Sequence, residues 1–213
     1  MATHAQDQDA ELRKQLYNPS AKQPSIVDVP AMNFLMVDGI GDPNTSQQYK
    51  DALESLYALS YTLKFAIKYA EKVDYQVSML EGLWWSDTLD EFLTGTRDAW
   101  RWTMMVRQPS VVTPAWMAHA VEEVQQKKDL PALPGVRLET FHEGLAAQIM
   151  HIGPYATEAS TIQKLHDFIH AEGGVFDGHV QKHHELYLGD PRRAAPEKLK
   201  TVIRQPFVQR TQS

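Results

Sequence analysis

Residues 104–109 read MMVRQP and residues 201–206 read TVIRQP, so that Arg107-Gln108-Pro109 returns 97 positions later as Arg204-Gln205-Pro206. What precedes each copy is also alike. Ahead of the first, NFLMVD (33–38) is a short apolar run ending at Gly39 and suits a strand. GDPNTSQQ (41–48) follows as a turn cluster whose Thr45 and Gln48 have capping-box spacing. Tyr49, Leu53, Leu56, Ser60, Leu63, Ile67 and Ala70 then recur at helical intervals. VDYQVSML (73–80) alternates apolar with polar residues as a half-buried strand does, and AWRWTMMV (99–106) is rich in strand formers. The order is strand, helix, strand, strand.

The second copy has the same order. VRLETF (136–141) and AAQIMHIG (146–153) read as strands. A helix is expected from about Glu158, with Ile162, Leu165 and Ile169 on one face, stopping at Gly173-Gly174. HHELYL (183–188) and LKTVIR (199–204) supply the last two strands. VDGIGDP (37–43) and MHIGPY (150–155) form a looser second echo. Between the copies, Thr113-Pro114 opens a helix to about residue 128, a cap followed by proline at the first helical position. The expected fold is α+β: a duplicated strand-helix-strand-strand module with pseudo-two-fold symmetry. Its sheets are antiparallel with helices on one face, and a ligand cleft lies between the halves. Residues 1–30, polar and punctuated by Pro19, Pro24 and Pro30, read as an N-terminal arm. Residues 31–213 then form one domain of two repeats, about 31–110 and 135–208.

Composition narrows the function. With 21 basic and 27 acidic residues the net charge is −6, which does not fit a nucleic-acid surface. Lys127-Lys128 and Arg192-Arg193 read as solvated surface. The chain has no cysteine, which removes disulfides, thiolate nucleophiles and cysteine-based zinc sites. No apolar run reaches the ~18 residues of a membrane span, and the N-terminus lacks the apolar core of a secretory signal. A cytoplasmic protein with no membrane contact is expected.

The chemistry centres on HHELYL. A strand alternates its faces, so His184, Leu186 and Leu188 share one and His183, Glu185 and Tyr187 the other. The leucines are expected under a helix, leaving Glu185 and Tyr187 on the free face. That face is either simply wet or a pocket floor, and a pocket requires aromatic residues from elsewhere. EGLWW (81–85) and AWRWT (99–103) hold Trp84, Trp85, Trp100 and Trp102, and Tyr57, Tyr61, Phe65, Tyr75 and Tyr155 add to the supply. Core packing is the competing reading of all of them. A carboxylate among aromatic faces suits lipophilic cations. Glu81 is either a loop carboxylate or a second pocket acid. His179, His183, His184 and Glu185 crowd together in sequence, but a strand does not converge them, and no metal is expected. Neither a GxSxG elbow nor a phosphate-binding loop is present, and no cofactor is expected.

YNPS (17–20), VPAMNFLMVDGIGDPN (29–44), EGLWW (81–85), IGPY (152–155) and HHELYLGDPRRAAPEKLKTVIRQP (183–206) together resemble the GyrI-like small-molecule-binding family. Effector-binding domains of the BmrR and Rob type are its relatives; here the domain is expected to stand alone, without direct DNA contact. The resemblance implies a ligand cleft between duplicated halves, with Glu185 inheriting the buried acid, Tyr187 beside it and the tryptophan-rich segment as lining. It also implies three roles. The first is binding of lipophilic, aromatic and cationic molecules in drug or toxin resistance, with Trp84, Trp85, Trp102, Tyr61, Phe65, Glu81 and His183 in the lining. The second is hydrolysis of cyclopropanoid DNA-alkylating natural products. There Tyr187 or Tyr155 donates to the substrate carbonyl, and Glu185 or Glu81 directs the water. The third is inhibition of DNA gyrase. Natural ligand and oligomeric state stay open.

Overall fold

The computed structural model describes residues 12, 14–87, 96–190 and 193–210. Arg192 lies outside the described residues. The chain divides into two compact units, one of Ala31–Phe141 and one that joins Met1–Pro30 to His142–Ser213.

The Ala31–Phe141 unit contains β2 (Met32–Ile40), α1 (Gln47–Glu71), β3 (Leu80–Trp85), β4 (Arg101–Gln108), α2 (Pro114–Lys127) and β5 (Arg137–Phe141). Its antiparallel strands run in the order β3-β4-β2-β5. The α1 stripe of Leu56, Leu59, Leu63 and Ile67 is wholly buried. On this side of the sheet the Gln108 amide donates to the Ser60 hydroxyl of α1 at 3.5 Å. Trp102 lies on the same side, directly opposite Gly39, where a Cβ would come within 2.1 Å of the indole. Only glycine lets that ring cross β2. On the other side of the sheet Phe34, Met36, Leu83 and Met105 cluster with Met32, Trp85 and Phe141.

Two local expectations are corrected here. Ser46, not Thr45, caps α1: its hydroxyl accepts from Tyr49 N at 3.2 Å, while Gln48 accepts from Ile40 N at 3.3 Å. The alternating stretch 73–79 is unpaired, and the strand begins only at Leu80. Alternation there records one packed side of an extended chain, without a ladder. The expected cap of α2 is present, with the Thr113 hydroxyl accepting from Trp116 N at 3.3 Å.

The other unit contains β1 (Ser25–Val29), β6 (Gly144–Ile152), α3 (Ala159–Ala171), β8 (His183–Tyr187) and β9 (Lys200–Pro206), with strand order β1-β6-β9-β8. A short ribbon pairs β7 (Gly174–Val175) with β10 (Val208–Gln209). Leu165 and Ile169 of α3 pack on Ala147, Ile149, Ile203 and Phe207. The opposite sheet face buries Met150, Leu186 and Val202 against Tyr17 and Leu188. Beside them lies an ionic group whose members are each about 1% exposed. Glu143 Oε2 accepts from Arg204 at 3.0 Å, and Glu143 Oε1 meets His184 Nδ1 at 2.9 Å. Arg204 also donates to Gln148 Oε1 and, at 2.8 Å, to the carbonyl of Leu16, which ties the N-terminal helical turn to the sheet. Burial alone would raise the Glu143 carboxyl, but the charges of His184 and Arg204 and their hydrogen bonds hold it at about 2.

The echoed Arg-Gln-Pro triplets end equivalent strands, β4 and β9. β1 and β5, the strands that lead into β2 and β6, each pair away from the strand they lead into. β1, which runs straight into β2, pairs with β6, and β5, which runs into β6, pairs with β2.

Candidate functional site

Registry places the residues of β8 unambiguously. Glu185 lies opposite Ile203 and Tyr187 opposite Thr201, while Leu186 lies opposite Val202. Directly opposed residues share a face, and Ile203 packs under α3. The expected parity of HHELYL therefore holds, but its assignment reverses. The helix lies on the side of His183, Glu185 and Tyr187, and the leucine side is covered by the N-terminal turn with Tyr17. Period-two alternation tells which residues go together, not which set a distant helix will cover.

Glu185 does not point freely at water; its side chain is 15% exposed. Tyr187 Oη donates to Oε2 at 2.8 Å, and His183 Nε2 meets Oε1 at 3.1 Å. Burial pushes the carboxyl up, but the His183 hydrogen bond and charge, then the Tyr187 hydroxyl and the charge of His184, hold it below its ordinary value. Tyr155, on the single turn Tyr155–Thr157 before α3, packs edge-on against Tyr187 with centroids 5.7 Å apart and planes at 81°. Its phenol is pushed up to about 12 by burial and by the charges of Glu158, Glu185 and Asp190, so it stays a donor. Tyr155 is 39% exposed, which makes this edge of the cluster reachable from outside.

Sequence reasoning missed the residue beneath it. Glu158 opens α3, where a carboxylate ordinarily caps backbone N–H groups, yet its side chain makes no cap bond and the residue is only 5% exposed. Burial, then the charge of Glu185, pushes its carboxyl up to about 8, with the Thr201 hydroxyl pulling the other way. The legible signal was spacing, since residues three apart on a 3₁₀ turn eclipse one another and Tyr155 and Glu158 are so placed. His166, on the buried side of α3, was also missed; burial and the charges of His183 and His170 bring it down to about 4.

The remaining candidates belong to the Ala31–Phe141 unit. Trp84 and Trp102 are buried in the Ala31–Phe141 unit around Tyr49, which stacks on Trp84 at 6.1 Å and meets Trp102 edge-on at 5.4 Å. Trp84 also meets Trp100 edge-on at 5.9 Å. Glu81, wholly buried, and Trp85 lie on the opposite side of that sheet, with Met105 and Leu83. Tyr61 and Phe65, each about half-exposed, line a groove of about 720 Å³ between α1 and α2 with Tyr69 and Trp116. His183 and His184 point to opposite faces, and no group of three or more metal-ligating side chains occurs among the described residues. Among the described residues, no helix is long and apolar enough to cross a membrane.

The sequence matches the family described as the GyrI-like small molecule binding domain over residues 22–207. An uncharacterized conserved protein from Listeria innocua of known structure is 42% identical, with a TM-score of 0.85 over 93% of this chain and 98% of that one. Two structures described as hydrolases from Listeria innocua are 41% and 42% identical over 93% of this chain and 98% and 97% of theirs, with TM-scores of 0.80 and 0.82. The C-terminal domain of EcmrR, only 9% identical, has the same fold at a TM-score of 0.53 over 88% of this chain and 98% of that one. No curated protein matches the sequence. With a family match spanning most of the chain, and relatives of this identity along nearly their whole length, the chain belongs to the GyrI-like family of small-molecule-binding domains.

Proposed function

We propose that this chain takes a flat, lipophilic aromatic molecule against the Tyr155–Tyr187 edge and adds water to it, with Glu185 as base. The reacting group is a cyclopropane conjugated to a carbonyl, and the role is protective. The observation that carries this reading is the setting of Glu185: a mostly buried carboxylate with one oxygen held by His183 and the other by Tyr187. An aimed base of this kind is worth roughly 10²–10⁴ in rate. Identity above 40% to two Listeria innocua proteins described as hydrolases supports it. Sequestration of lipophilic cations is the second reading, favoured by the carboxylate lying beside aromatic rings.

The deciding measurement is product mass. Incubated with a planar alkylator bearing such a cyclopropane, the protein should release many equivalents of substrate plus one water, and Glu185→Gln should slow this by about 10²-fold or more. Recovery of unchanged ligand at one equivalent, with a lipophilic cation losing affinity in Glu185→Gln and a neutral analogue keeping it, selects sequestration.

A further inference from the structure

Glu185 as base leaves open what protonates the substrate oxygen, and a second carboxyl lies beside it. Glu158 reaches the cluster from the start of α3. Its backbone carbonyl accepts from Thr161 N at 2.8 Å and Ile162 N at 2.9 Å, so the backbone is committed to the helix. Its side chain is not: Oε1 is buried without a hydrogen-bond partner among the described residues. The Thr201 hydroxyl, equally buried on β9, also lacks a bond of ordinary geometry. A buried carboxyl oxygen with no hydrogen-bond partner costs about 1–3 kcal/mol, and a catalytic role is one of the reasons such an exception persists.

Resting on the hydrolytic reading above, we propose that Glu158 is the proton donor of this site, a neutral carboxylic acid paired with the ionised Glu185. Two carboxyls sharing one buried space cannot both ionise cheaply, and a pair driven into opposite states divides acid from base. The groups facing Glu158 agree with that division. From β8 come Glu185 and, through it, His183; from β9 Thr201; from the preceding turn Tyr155, on which Asp190, from the segment after β8, also acts. His151 on β6 is turned instead to Thr161 and Pro154, and His166 on α3 to Phe176. Among the described residues, no lysine or arginine is one of the groups acting on the carboxyl.

In the reaction, the oxygen of water bonds to a ring carbon and gives its proton to Glu185. The ring C–C bond breaks, and its electron pair passes through the conjugated system to the carbonyl oxygen, which takes the Glu158 proton. Return of the proton from Glu185 to Glu158 resets the pair, and the net change is one added water. Tyr155, held as a phenol, is placed to hydrogen-bond the same oxygen.

The test joins spectroscopy to kinetics on the full chain. Near pH 7 the infrared spectrum should contain the carbonyl stretch of one protonated carboxylic acid, absent in Glu158→Gln and lost in wild type as pH rises through about 8. Turnover in wild type should fall along the same limb. Glu158→Gln should lower kcat by roughly 10²–10⁴ and abolish the limb, while a non-reactive planar aromatic still quenches tryptophan fluorescence. Thr201→Val, which keeps the carboxyl but removes the hydroxyl favouring its ionised form, should move the limb upward. No protonated carboxyl near pH 7, or wild-type rate and limb in Glu158→Gln, overturns the assignment. A wild type that binds but never turns over, with the infrared band intact, overturns the hydrolytic reading and the donor role with it.

Discussion

Replacing Glu158 by glutamine should make the protein more stable, by an amount that depends on pH in a calculable way. The ordinary carboxyl value is 4.5 and the folded value about 8. A raised folded value means that the protonated group contributes stability in full below 4.5 and loses it as pH climbs through about 8. Each pH unit in that window is worth about 1.4 kcal/mol. Near neutrality the unfolded chain ionises freely while the folded chain must hold the proton, a deficit of about 3 kcal/mol that grows to about 5 above the folded value. Glutamine cannot ionise, so the variant lacks the deficit. The cost of burying its amide is the same at every pH. Urea denaturation followed by tryptophan fluorescence at several pH values should show the variant's advantage widening as pH rises and flat below 4.5. Because the Glu185 charge is the second cause of the shift, adding Glu185→Gln should shrink that slope. Parallel stability curves for wild type and Glu158→Gln, whatever their offset, would refute the reasoning.

Two further outcomes concern the scaffold. Arg204→Met leaves Glu143, about 1% exposed, with His184 as its remaining charged partner, and should cost about 3–5 kcal/mol in a urea midpoint. Glu143, held at about 2, contributes stability that is present in full above 4.5 and lost as pH falls from there through about 2; in Arg204→Met the loss should be smaller and complete at higher pH. Gly39→Ala drives a methyl to within 2.1 Å of the Trp102 ring and should cost about 1–3 kcal/mol by overpacking, seen as a lower melting temperature with altered indole emission.

The duplication was legible because it is written twice, and the Arg-Gln-Pro triplets fall at the ends of matching strands. The helices α1 and α3 were legible because their buried stripes repeat at three and four residues. Pairing partners were not. Nothing local to Ser25–Val29 says that it will lie against β6 and leave β2, its neighbour in the chain, to β5. The core of the candidate site was legible in part: Glu185, Tyr187, Tyr155 and His183 do converge. Glu158 was hidden by its position, because a glutamate at a helix start reads as a cap, and only the approach of β8 and β9 makes it a buried acid. Trp102 answers to Gly39 and Tyr49, and Tyr61 and Phe65 to the α1–α2 groove.

The leading strands have a topological corollary. The polypeptide leaves the Glu185-bearing unit after Pro30 and comes back at His142. The departure and return lie side by side, for Val29 is opposite Gly144 and Met32 opposite Phe141. One unit is thus an uninterrupted insert, and its host is spliced from two stretches of chain. A ribosome finishes every strand of the insert before the host receives β6, β8 or β9, so the acid pair can assemble only after the insert has been made.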